Sequence, residues 1–411
     1  MKKSASSVSS KSQRLWMAVI LGALCAIGPL SIDMYLPSFP TMAAELHSNT
    51  STIQLSLTAC LLGLALGQLI VGPLSDRHGR RKPLIIAVTF YAGSSLLCAL
   101  VPSIWLLILL RFIQGASGAG GIVIARAIVR DLYSGSELTK FFSLLMLVNG
   151  AAPILAPVVG GQLLQITSWR GVFIVLCILG VLMLIGAILG VPETLSKQYR
   201  TDGGIKNTLS TFGSLITNRI FIGYALSQGL VMAAMFAYIS GSPFVIQNIF
   251  GASPQMYSLF FAINGVGIVI ASQVTGRLAG RVNETKLLMM GLSLAAIGGL
   301  SLLASIVIGM GLAGILVSLF FVVSSVGIVS TTSFALAMQN QKHNAGSAAA
   351  LLGVIPFVSG SIVAPLVGLA GSGTALPMGI VIACCDIGAL ICYTLLVRRN
   401  TVYVTENKSI S

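Results

Sequence analysis

The sequence predicts an all-α polytopic membrane protein: about twelve transmembrane helices arranged as two six-helix bundles. Three observations carry this. First, only 8% of the 411 residues are charged and 55% are hydrophobic; a soluble domain carries about a quarter charged residues, so these charges cannot cover a water-facing surface. Second, the length fits about twelve spans at about 20 residues each plus short loops. Third, of the 24 Lys and Arg, twenty-two fall in the tails or in and beside alternate loops, leaving Arg170 in a loop on the other side and Arg111 inside a span. That is the positive-inside pattern, which places both termini in the cytoplasm and requires an even number of spans. The net charge of +14 would suggest nucleic acid in a soluble chain. Here its distribution points to the lipid bilayer as the partner, with no nucleic acid.

Residues 1–13 are Ser-rich and basic, a cytoplasmic tail. Span 1 covers about 15–37, with Trp16 at the inner interface and Pro37 and Pro40 at its outer end. It follows Lys2 and Lys3 as a signal peptide would, but it has no small-x-small cleavage site and runs too long to be removed. Spans 2, 3 and 4 cover about 52–73, 83–101 and 104–127, with Trp105 at the outer interface. Span 5 covers about 139–165 and span 6 about 171–191. The polar stretch 195–217 reads as a cytoplasmic linker, dividing an N-terminal bundle (1–194) from a C-terminal bundle (218–411). Spans 7 to 12 cover about 219–243, 255–276, 286–307, 311–337, 346–370 and 375–397. The halves are related. A shift of 204 places Gly63, Gly72, Leu74, Arg77 and Lys82 on Gly267, Gly276, Leu278, Arg281 and Lys286, and a shift of 203 places Gly150 and Pro153 on Gly353 and Pro356. Paired repeats with the substrate between them are a known transporter design.

Between spans 2 and 3 stands Gly72–Lys82, GPLSDRHGRRK, with four cations and one acid in eleven positions. It reads as a short, strongly positive cytoplasmic turn. Gly72 and Gly79 suit close approach and unusual dihedrals, and Pro83 the first turn of the next helix. The stretch resembles the signature loop between helices 2 and 3 of the major facilitator superfamily of secondary transporters. The resemblance implies the major facilitator fold and a conformational latch built from Gly72, Asp76, Arg77, Gly79, Arg80, Arg81 and Asp131. In that latch Asp76 faces the positive N-terminal end of span 11.

Asp33 lies in the outer part of span 1. An intramembrane carboxylate costs roughly 2.5–3.5 kcal/mol on insertion scales and usually faces a cavity or a partner. Its segment, SIDMYLP, resembles the helix 1 signature of drug:proton antiporters, in the form found in the bicyclomycin/chloramphenicol resistance branch. RFIQG in span 4 resembles a motif of proton-coupled facilitators, with Arg111, Gln114 and Gly115 in register. Asp33 lies four residues, roughly 6 Å, from Pro37, and Arg111 seven residues, roughly 10 Å, from the outer start of span 4. The two thus lie at similar depth. The resemblance implies a proton-coupling and substrate site made of Asp33, Met34, Tyr35, Arg111 and Gln114. NGAAPILAPVVGG in span 5 contains Pro153, Pro157, Gly160 and Gly161 and resembles the antiporter motif of exporters, with Ala156 where that motif has Gly.

Further polar residues inside spans are Gln68, Asn149, Gln228, Tyr238 and Asn264, which could line a cavity or serve interhelical hydrogen bonds. Asp386 in span 12 matches no motif; it reads as a structural hydrogen-bond partner, with a second proton site as the alternative. All seven cysteines lie in apolar spans without metal-ligand spacing, so no metal and no disulfide is expected. No phosphate-binding loop marks ATP as an energy source, and no cofactor is implied. An intramembrane enzyme would need a catalytic Ser/His or His/Glu set, and none is found. The resemblance therefore implies a monomeric, proton-driven exporter of small, partly apolar drugs in a bacterial inner membrane. An exporter or symporter of a small metabolite on the same fold is the alternative.

Overall fold

The computed structural model describes residues 11–200, 212–339, 341 and 345–398. The central part of the expected linker, 201–211, lies outside the described residues, as do 1–10, 340, 342–344 and 399–411. Among the described residues, twelve helices are long and apolar enough to cross a membrane. They are α1 (Lys11–Asp33), α2 (Thr50–His78), α3 (Arg81–Leu100), α4 (Ile104–Leu132), α5 (Gly135–Leu163) and α6 (Trp169–Gly190). Then follow α7 (Arg219–Phe244), α8 (Pro254–Leu278), α9 (Glu284–Ile308), α10 (Gly311–Met338), α11 (Ala345–Val363) and α12 (Leu376–Cys392). Their ends follow local chemistry. Asn218 caps α7 by accepting from the Ile220 and Phe221 amides, Ser253 caps α8 with Pro254 at its first position, and Asn283 caps α9. Past Asp33 the chain tightens into the 3₁₀ turn Leu36–Ser38 and the short helix Phe39–Glu45. Pro365 likewise marks a change to 3₁₀ geometry over Ala364–Gly368.

One boundary departs from the sequence reading. The stretch from Gly72 was expected to be a turn, yet α2 runs on through Pro73 to His78, and Gly79 (φ 91°) alone makes the reversal. The extra helical turn is held by its side chains. Ser75 Oγ donates to the Gly72 carbonyl at 2.8 Å, and Asp76 accepts from Arg80 one turn on. The repeat lacks this device. There α8 ends at Leu278 and Gly280, which aligns with Asp76, is left-handed at φ 78°. Losing the acid shortens the helix by about one turn.

By contacts the chain forms two units. Unit 1 holds the described residues of Met1–Ser38 and Ala59–Ile205, and unit 2 those of Phe39–Thr58 and Lys206–Ser411. The residues 39–58 thus sort with the second half, and α2 is a single helix shared between both units. In unit 1, α3 packs on α4 and α6, and α1 on α4, α5 and α6. The core includes Leu21, Leu24, Val88, Tyr91, Ile124, Ile128 and Val129, all buried. α2 and α4 touch backbone to backbone. A Cβ at Gly63 would collide with the Phe112 carbonyl, one at Gly67 with that of Ala116, and one at Gly115 with that of Cys60. Small residues permit such approach between helices in lipid, where dispersion and short contacts replace the hydrophobic drive. In unit 2, α7 packs on α10, α11 and α12, and α9 on α10 and α12. The first turns of α2 dock here through polar bonds: Gln54 Nε2 donates to the Ser240 carbonyl at 3.0 Å and Ser51 Oγ to that of Pro365 at 3.1 Å. Outward-facing Ile86, Phe90, Leu97, Ile178, Leu182 and Leu189 are exposed, as an apolar solvent requires.

Candidate functional site

Unit 1 assembles the residues of the span 1 and span 4 motifs around one guanidinium. Arg111, on α4, is fully buried. Its Nη1 donates to Gln114 Oε1, one turn along, and its Nη2 to the Ser31 carbonyl on α1 at 2.7 Å. Its Cζ lies 4.2 Å from the Tyr35 ring centroid and 5.7 Å from that of Phe173 on α6. A desolvated cation over an aromatic face gains about 2 kcal/mol or more. The network runs on to α3: Gln114 Nε2 donates to Ser95 Oγ (2.7 Å), Ser95 Oγ to the Tyr91 carbonyl (2.7 Å), and the Tyr91 hydroxyl meets Ser31 Oγ at 2.9 Å. Four helices therefore position the cation.

Asp33 sits inside this assembly but is not bonded to Arg111. Its side chain is buried, Oδ1 has no hydrogen-bond partner, and no ion pair within 4.0 Å joins it to the guanidinium. Instead, Arg111 grips the segment on either side of the acid, through the Ser31 carbonyl before it and the Tyr35 ring after it. Met34 is buried between them. Its carbonyl meets α5: a Cβ added at Gly160 would collide with Met34 O and lie 3.4 Å from its Cα. The span 5 motif thus abuts the Asp33 segment directly. Pro153 and Pro157 lie inside α5, and Gly161 follows in its last turn.

The cavity candidates divide between the units. In unit 1, Asn149 donates to the Leu145 carbonyl of its own helix at 2.9 Å, and Gln68 is half-buried on α2. In unit 2, Asn264 donates to the Tyr238 hydroxyl at 3.0 Å, and Tyr238 stacks on Phe261 at 5.4 Å. The Gln228 Oε1 is buried without a partner.

The loop residues form a second cluster at the other end of unit 1, and its hub is Arg80. Arg80 Nε donates to Asp131 Oδ2 at 2.9 Å, and Nη1 to Ser75 Oγ at 2.9 Å and Asp76 Oδ1 at 2.5 Å. Burial alone would lower the Arg80 pKa. The hydrogen bonds and charges of Asp131 and Asp76 outweigh it and hold it above the ordinary value. Thr194 Oγ1 also donates to Asp131. Glu193, just after α6, accepts from the Arg80 amide at 2.8 Å and the Leu195 amide at 3.1 Å, so it caps the start of α3. Gly79 lies against it, and a Cβ there would collide with Glu193 Oε2. Arg81 Nη2 donates to the Ile188 carbonyl, while Arg77 is exposed. Sequence reasoning passed over Glu193, Ser31, Tyr91 and Ser95. For Glu193 the one available signal was an acid directly after Pro192 at the end of a span.

Because Arg80 is 8% exposed and Asp76 49%, the two substitutions should differ. Arg80→Ala strands Asp131 and should cost about 1.5–3 kcal/mol, as a hydrogen bond to a charged group does. Asp76→Asn removes a half-exposed pair worth about 1 kcal/mol or less. Melting of the detergent-purified variants checks this ordering. Equal stabilities would remove Arg80 from its place as hub.

Residues 16–365 match the Major Facilitator Superfamily. An uncharacterized MFS-type transporter of Bacillus subtilis, YdgK, is 47% identical over 390 residues, 94% of this chain and 97% of that protein. A bicyclomycin resistance protein homolog of Haemophilus influenzae is 29% identical over 380 residues, 92% of this chain and 96% of that one. Among solved structures, the nucleoside transporter NupG superposes with a TM-score of 0.76 at 13% identity, covering 93% of this chain and 99% of its own; that likeness is one of fold. The chain belongs to the Major Facilitator Superfamily, as a multi-pass membrane transporter and not an enzyme.

Proposed function

We propose that this chain is a proton-coupled exporter of small amphipathic drugs, of the kind that bicyclomycin and chloramphenicol represent, and that it works by alternating access. The observation that carries the reading is Asp33: a buried, unpartnered carboxyl held in a segment that a buried arginine grips on both sides. A neutral acid costs less to bury than an ionised one, so the state with Asp33 enclosed favours the protonated form. When the cavity opens to water the acid ionises, with the cation at hand to steady it. Drug binding and proton binding then compete for one conformational cycle, which is antiport. The drug-resistance name of the Haemophilus relative supports the drug class. Asp76, half-exposed near the end of α2 and paired with Arg80, belongs to the conformational latch in this reading. The charge asymmetry of the loops supports a bacterial inner membrane with both termini inside.

One experiment tests substrate class and topology together. Cells overexpressing the chain, with a fluorescent reporter after Ser411 that matures only in the cytoplasm, are exposed to a broad compound panel. The expected result is a fluorescent membrane and raised tolerance to several amphipathic drugs, abolished when the proton gradient is collapsed. Unchanged tolerance across the panel sinks the drug reading and leaves a metabolite as cargo; dark cells sink the topology.

A further inference from the structure

The buried acid that unit 1 uses has a counterpart of a different kind in unit 2. Asp386 lies ten residues into α12, about 15 Å along its axis, which is half of a hydrocarbon core about 30 Å thick. It is fully buried, and neither carboxyl oxygen accepts a hydrogen bond. The structural hydrogen bond expected from sequence is therefore missing. Nor is there a counter-ion. α9, which packs on this face, carries no titratable side chain between Lys286 and its end at Ile308. α7 offers only Tyr224 and Tyr238 beyond its terminal Arg219, and Ala364–Gly368 offers none. The following Tyr393–Arg398 segment has Tyr393 and Arg398, and α12 itself has Cys384, Cys385 and Cys392. Among the described residues no cation approaches the carboxyl within 4.0 Å.

The space it occupies depends on glycine. A Cβ at Gly299 of α9 would lie 3.0 Å from Asp386 Oδ2 and 3.1 Å from the Ala383 Cα. At this level the crossing brings Gly299 against Ala383, both buried, and farther along it Leu303 and Ile306 of α9 lie against Gly379 of α12. With a glycine facing the carboxyl at this level, a parting of α9 and α12 by the width of a water molecule would wet it.

We infer that Asp386 is a second proton-binding site, carried by unit 2 and separate from Asp33. In the conformation described it is a neutral acid, because nothing at that depth compensates a charge. When the α9–α12 crossing loosens, water takes the proton as hydronium and leaves the carboxylate; the reverse step reloads it. Each unit then holds one intramembrane acid that gains and loses a proton.

Infrared difference spectroscopy reads this without any transport substrate. The full chain is prepared with heavy-carbon aspartate and purified, so that aspartate carboxyl stretches separate from those of glutamate. Subtracting the Asp386→Glu spectrum from that of the parent isolates Asp386. The expected result is a labelled, protonated-carboxyl band in the parent that is absent from Asp386→Glu and is lost almost completely as pH is raised from acid to alkaline. Absence of the band at every pH means an ionised residue and overturns the proposal. A band that persists unchanged to the alkaline limit means a permanently neutral acid and overturns it equally. Should Asp386→Glu fail to fold, labelled Asp33→Glu leaves Asp386 as the only labelled acid in the middle of a span, and the same pH series decides.

Discussion

Asp33→Asn should abolish proton-driven drug accumulation in inside-out vesicles while leaving drug binding largely intact. The amide nearly matches the carboxyl in shape, so the packing of the buried segment, including Met34 against Gly160, survives. What disappears is the ability to exist as acid and as anion. If protonation drives the step, the loss is not a few-fold slowing but a removal of coupling: no accumulation above equilibrium, with downhill exchange still possible. Asp33→Glu keeps the chemistry but lengthens the side chain in a buried position, so part of the activity should remain. The decisive measurement is drug-induced proton release from detergent-purified protein near neutral pH, with chloramphenicol as the first probe. As many protons from Asp33→Asn as from the parent would move the coupling site elsewhere.

Arg111 should be nearly as sensitive, for a different reason. Arg111→Ala leaves Gln114 Oε1 and the Ser31 carbonyl without their donor in a buried site, at about 1–3 kcal/mol for each unsatisfied group. It also removes the cation from the Tyr35 face. Each 1.36 kcal/mol that reaches the rate-limiting step is tenfold in rate, so transport should fall by a factor on the order of a hundred or more. Arg111→Lys retains the charge, but a single ammonium lacks the planar fork that reaches two acceptors on two helices. It should fold better than the alanine variant and still transport poorly. Full activity of Arg111→Lys, measured in the same vesicles at equal protein amount, would show that only charge is needed and that the two-armed bridge between α4 and α1 is incidental.

How much of this was legible beforehand depended on where the physics is local. The twelve spans could be read because hydropathy and loop charge act over one segment at a time. Asp33 and Arg111 could be singled out because an ion in a span is conspicuous whatever surrounds it. Their actual relation could not be read. Similar depth placed them in one site, but the hydrogen bonds of the guanidinium go to Gln114 and a backbone carbonyl, a matter of how α1 and α4 rotate against each other. Ser31, Ser95 and Tyr91 were invisible for the same reason: hydroxyls are common in spans and take their partners from tertiary packing. Pro73 misled, because proline reads as a helix breaker, and the bonds that carry α2 past it come from Ser75, Asp76 and Arg80. The sorting of 39–58 with unit 2 depends on contacts with residues nearly two hundred or more positions away, Ser240 and Pro365 among them.

The contact between Gly160 and the Met34 carbonyl bears on how such a transporter can evolve. Exporters that meet new toxins adapt by exchanging side chains around the cargo. Here the Asp33 segment rests on a position that admits no side chain at all. Routes that change the cargo range by altering α5 are therefore open on its other faces but closed at residue 160. In a library of all single variants selected for resistance, that position should tolerate almost nothing, while its neighbours on the lipid side, such as the exposed Leu155 and Val159, drift freely.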